Sequence, residues 1–102
     1  MSTLHTVNKS PFDRSSLETC LRLAGKGNAL VLLEDGVYGA MQGSNASAMV
    51  EKAMSDVSIY VLGADMKARG VDESKIIDGI KVIDYKGFVD LTVEKDKVNA
   101  WL

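Results

Sequence analysis

Cys20 is the sole cysteine of the 102-residue chain and sits inside the stretch RSSLETCLRLAGKG, Arg14 to Gly27. A thiolate there could accept or pass on sulfur, because the thiolate is the reactive form of cysteine. The same residue on the inner face of a helix would be a small hydrophobe. Leu17, Cys20, Leu21 and Ala24 fall at i, i+3, i+4 and i+7, so Cys20 shares the apolar face of an amphipathic helix. It lies in the helix interior rather than the first turn, where the helix dipole would lower its pKa. Packing and sulfur chemistry both remain open on these grounds.

The other chemistries that a small chain of this type could carry are missing their parts. His5 is the one histidine. No G-x-S-x-G elbow accompanies it, and one Cys with one His at no diagnostic spacing makes no zinc site. The sequence implies neither a cofactor nor a metal. The Gly25-Lys26-Gly27 triplet follows a helix instead of preceding one, so it reads as a turn and not as a phosphate-binding loop. NKSPFDRSS after the first strand has no glycine for a flavin phosphate, and Asn8 and Lys9 stand where a receiver domain needs paired acids for Mg²⁺. His5 reads as a structural residue of a central strand.

The elements that would position Cys20 alternate between short apolar runs and helical stretches, the pattern of βα units on a parallel sheet. Ser2–Val7 reads as the first strand, stopped by the Asn8–Pro11 loop. A helix begins near Asp13 to Ser16 and is ended by Gly25 and Gly27. Asn28–Asp35 is the second strand; its unbroken apolar run implies cover on both faces. DGVYGAMQGSNAS then reads as a flexible loop. A second helix spans about Asn45 to Met54, with Ala46, Met49, Val50 and Ala53 along one stripe. Val57–Gly63 is the third strand, followed by a short helical ADMKARG that Gly70 ends. Ile80–Tyr85 is the fourth strand, and Asp84 is placed to cap a helix containing Phe88, Leu91 and Thr92. The tail KDKVNAWL has two readings, an edge strand or a segment packed on a neighbour. Val37, Tyr38, Met41 and Trp101 likewise read as core or as an oligomer interface, and DGVYGAM with the C-terminal aromatic region is the predicted interface. One domain, 1–102, is implied.

Formal net charge is -2 and no Lys/Arg cluster lies along any segment, which argues against direct nucleic-acid binding and against an anionic lipid surface. The N-terminal MSTLHTVNKSP is too short and polar for a signal peptide, and no apolar run reaches a membrane span. Without a disulfide framework, a cytoplasmic protein is expected.

LHT at Leu4–Thr6, LLEDGVYGA at Leu32–Ala40 and IDYKGFVDLTVEKDKVNAW at Ile83–Trp101 together resemble the DsrH/TusB family of sulfur-relay proteins over nearly the whole chain. A cysteine in the first helix makes the DsrH branch of sulfur-oxidising bacteria the closer match. The resemblance implies an α/β fold: a small flavodoxin-like parallel sheet flanked by helices on both faces. It also implies assembly with homologous DsrE-like and DsrF-like subunits into an α2β2γ2 heterohexamer. In such complexes persulfide sulfur passes from a TusA-like donor toward a DsrC/TusE-like acceptor, feeding sulfur oxidation in the DsrH branch. In the TusBCD branch it ends on the wobble uridine of tRNA, and a non-catalytic structural subunit of that complex is the alternative reading. The principal sulfur-carrying cysteine of the family belongs to the DsrE/TusD-like partner. This chain has no cysteine in GADMKARG, the corresponding loop, so Cys20 is at most a secondary persulfide carrier.

Overall fold

A computed structural model describes residues 2–12 and 15–101. Five parallel strands form one sheet in the order β4-β3-β2-β1-β5: β1 Thr3–Val7, β2 Ala29–Leu32, β3 Ser58–Leu62, β4 Lys81–Ile83 and β5 Lys97–Trp101. Between them lie α1 Ser16–Leu23, α2 Ser47–Ala53, α3 Gly63–Ala68 and α4 Tyr85–Glu94, with 3-10 turns at Glu34–Ala40 and Glu73–Lys75. Asp13 and Arg14, in the stretch where the sequence places the helix start, lie outside the described residues, as does Leu102.

Chain order explains the layering. From β1 to β4 each strand is added on the same side of the last, and right-handed crossovers then put every connection on one face. Leu17 and Cys20 of α1, Val37 and Ala40 of the first 3-10 helix, Val50 of α2 and Met66 of α3 all pack there with Val7, Leu30, Leu32, Ile59 and Val61. The step from β4 to β5 runs back across the sheet, so α4 covers the opposite face. Its Leu91 and Phe88 meet Leu4, Ala29 and Val31. β2, paired on both edges and covered on both faces, is buried at all four residues, as its apolar run requires. The layering is flavodoxin-like, but the edge strand beside β1 is β5, where flavodoxin places β2.

The tail is therefore an edge strand. It pairs with β1 from Thr3 opposite Lys97 to Val7 opposite Trp101. Asp84 caps α4 as the sequence predicts, its Oδ1 accepting from Gly87 N–H at 2.8 Å.

The predicted flexible loop after β2 is a correction. Its first part, Glu34–Ala40, is a 3-10 helix with Gly36, Val37, Gly39 and Ala40 buried. Glycine here serves close approach: a Cβ on Gly39 would stand 2.7 Å from Leu17 Cδ2. Val37 is fully buried, and Tyr38, Met41 and Trp101 are half-buried against the same cluster. These four residues belong mainly to the core, which leaves DGVYGAM little free apolar surface with which to form the predicted interface.

Candidate functional site

Cys20 lies mid-way along α1 with no exposed surface. Helical spacing turns it inward beside Leu17, against Val7, Leu30 and Leu32 of the sheet. Burial pushes its thiol up to about 12, since a thiolate without solvent or a cationic neighbour is disfavoured. Arg22, the nearest cation in sequence, is exposed. A cleft of about 460 Å³ between α1 and α2 is lined by Glu18, Leu21 and Arg22, opposite Met49, Lys52 and Ala53, but not by Cys20. A second, of about 320 Å³, opens between Pro11, Phe12 and Ser15 on one side and Asn45, Ala46 and Met49 on the other. Neither leads to the sulfur.

At the end of the sheet where the strand C-termini meet, the place at which open α/β sheets bind ligands, a polar cluster holds the loop after β2. An open cleft of about 560 Å³ lies there between Gly63 and Ala64 on one side and Ile83, Asp84 and Tyr85 on the other. After β2 the chain turns through Glu34, at φ +50°, an uncommon conformation for a side chain other than glycine. Glu34 N–H donates to Asp65 Oδ2 at 2.7 Å. Arg69 Nε pairs with Asp35 Oδ1 at 2.8 Å and its Nη1 stands 3.9 Å from Asp65. Asn8 Nδ2 reaches Glu34 Oε2 at 3.4 Å. These contacts tie the loop after β2 to α3, which begins directly after β3. The Asp65–Arg69 spacing of four was the sequence signal for part of this cluster, but the partner Asp35 is far away in the chain. The cluster contains no thiol, hydroxyl or imidazole. Among the described residues no group of three or more His, Cys, Asp or Glu side chains is placed to hold a metal ion.

His5 is buried on the helix-rich face of β1. It accepts from Trp101 Nε1–H through Nδ1 at 3.0 Å, which agrees with a structural role in a central strand.

The family profile described as "DsrH like protein" matches residues 9–98. The chain belongs to the DsrH/TusB family. Protein TusB of Pectobacterium parmentieri is 42% identical over 99 residues, covering 96% of this chain and 99% of the relative. Protein TusB of Escherichia coli K12 is 37% identical over 98 residues with the same coverage of both chains. These DsrH/TusB relatives carry the TusB name, which favours that branch over the DsrH branch suggested by Cys20. Among solved structures, the ychN protein from E. coli superposes with a TM-score of 0.82 at 22% identity, covering 98% of this chain and 99% of the other. MTH1491 from Methanobacterium thermoautotrophicum follows at 0.74 and 16%, covering 96% and 97%. Both show the fold alone. No helix among the described residues is long and apolar enough to cross a membrane.

Proposed function

We propose that this chain is the TusB-type structural subunit of a cytoplasmic TusBCD-type sulfur relay, which delivers sulfur for 2-thiolation of the wobble uridine of tRNA. It carries no sulfur itself. TusC-like and TusD-like subunits complete an α2β2γ2 assembly; the sulfur station is on the TusD-like partner, which also meets the TusA-like donor and the TusE-like acceptor.

The observation that supports a non-catalytic role is the state of Cys20. To take sulfur, its thiolate would have to attack the outer sulfur of a donor persulfide while the donor cysteine leaves as thiolate. With a pKa of about 12 the thiolate fraction near neutrality is roughly one in 10⁵, and no surface of the residue is open to a carrier.

An exposed apolar stripe supports assembly. Tyr85, Val89 and Val93 repeat every four residues along the outer side of α4 and are 60%, 56% and 80% exposed. Leu91 and Phe88 use the other side against the sheet. The stripe is the surface this reading assigns to a neighbouring subunit, in place of DGVYGAM.

The test is complementation. In cells lacking the gene, tRNA 2-thiolation should be restored equally by the wild-type chain and by Cys20→Ala. Loss of thiolation in a Cys20→Ala protein that still assembles would overturn the structural reading.

A further inference from the structure

β5 holds its place with few side chains. Lys97, Val98, Asn99 and Ala100 are exposed, and only Trp101 turns into the larger core cluster. Its indole nitrogen ends on His5, with the two rings 6.2 Å apart and tilted by 44°.

The geometry fixes the proton count of His5. Indole N–H only donates, so Nδ1 must accept, and the single proton of the neutral ring sits on Nε2. Nε2 faces Asn28 Nδ2 at 3.2 Å, a second donor, while Asn28 Oδ1 accepts from Thr3 N–H at 3.2 Å. Turning the amide over would satisfy Nε2–H but leave Thr3 N–H without its acceptor. The neutral ring thus meets two donors with one acceptor, and a second proton would leave it none.

We infer that His5 and Trp101 form an acid-released latch: protonation of His5 removes the acceptor for Trp101 and frees β5 from the edge of the sheet. With β5 docked the imidazole is buried, and that burial holds its pKa below the ordinary value. With β5 undocked the ring meets water and titrates normally near 6.5. The undocked form therefore binds the proton more readily, and its population grows as pH falls through that range, by up to tenfold per pH unit, until the docked form also titrates.

Among the described residues, the strand neighbours of His5 carry no titratable group. Leu30 and Asn99 flank it in register on β2 and β5. On α1, the Cys20 thiol stays neutral, and the charged Glu18 and Arg22 line the cleft toward α2. Lys97 lies one pleat away from Asn99 and is exposed. At the far end of β5, Asp96 accepts from Ser2 N–H at 3.0 Å, which holds its carboxyl below the usual carboxylate range and keeps it charged well below pH 6.

Trp101 is the sole tryptophan and His5 the sole histidine, so each gives an unambiguous signal in the full-length chain. Between about pH 7.5 and about pH 5, Trp101 emission should shift to the red. Amide exchange of Lys97–Trp101, corrected for its intrinsic pH dependence, should accelerate on the order of tenfold or more. Leu30–Leu32 should stay protected. His5→Gln should lose the pH response. Should that variant fold poorly, Trp101→Phe should show loose β5 amides already at the higher pH, and the His5 imidazole should titrate closer to 6.5 than in the wild type. Unchanged β5 exchange on acidification, the same transition in His5→Gln, or an unmoved His5 titration in Trp101→Phe would each overturn the latch.

Discussion

A methyl group added at Gly36 would stand 2.1 Å from the carbonyl oxygen of Val7, closer than any real side-chain carbon approaches backbone. That contact presses the turn after β2 onto the end of β1, with Leu33 N–H donating to the same carbonyl at 3.1 Å. Because both parties are backbone, neither can rotate away. Gly36→Ala should cost about 3 kcal/mol of unfolding free energy by urea titration, at the upper end of overpacking. Gly25→Ala, with its nearest neighbour at 3.8 Å and no left-handed φ, should be neutral or stabilise by about 0.5 kcal/mol. Equal effects at the two sites would remove the proposed reason for glycine at position 36.

Burial rather than reactivity sets the behaviour of Cys20. A neutral thiol reagent should label it only on unfolding: at fixed pH the rate should follow denaturant, and the native chain should stay unlabelled from about pH 7 to about pH 9. Prompt labelling of the native chain would contradict the packing seen on α1. Cys20→Ala should lower stability by about 1 kcal/mol, the loss of one small buried group.

Asp84 satisfies Gly87 N–H at the start of α4, among the described residues the one helix covering this face of the sheet. Asp84→Ala should cost about 1 kcal/mol and Asp84→Asn much less, since asparagine also caps. A larger loss in both would mean that the charge, not the cap, is what matters.

The Arg69–Asp35 pair is half open to water, with Asp35 57% exposed at its side chain. A double-mutant cycle with Asp35→Asn and Arg69→Gln should give a coupling below about 1 kcal/mol that shrinks in high salt. Strong, salt-insensitive coupling would show that the loop after β2 depends on this pair far more than its exposure implies.

Val89→Asp or Val93→Asp should leave the unfolding free energy of the chain within about 0.5 kcal/mol of wild type, because both side chains are exposed. Either should sharply reduce co-purification with TusC-like and TusD-like subunits. Undiminished assembly would move the contact surface elsewhere.

What could be read from the sequence was mostly what neighbours in the chain decide. The apolar run of β2, the inward stripe of α1 with Cys20, and the Asp84 cap all follow from local period and local hydrogen bonding. The 3-10 helix at Glu34–Ala40 could not be seen that way. Its glycines look like loop residues until Val7 and Leu17 are known to press against them. The tail stayed open for the same reason: Trp101 finds its partner His5 across 96 positions. The resemblance gave the family; Cys20 pointed to the DsrH branch, whereas relatives that carry the TusB name favour the other, and a buried cysteine and a working thiol look alike when only helix periodicity is visible.

The most direct test of the central claim is intact-mass analysis of every subunit after the assembled complex is offered a persulfide-loaded carrier. The account predicts one added sulfur on the TusD-like partner and an unchanged mass for this chain. An added sulfur on this chain that disappears in Cys20→Ala would contradict it and make Cys20 a station in the relay.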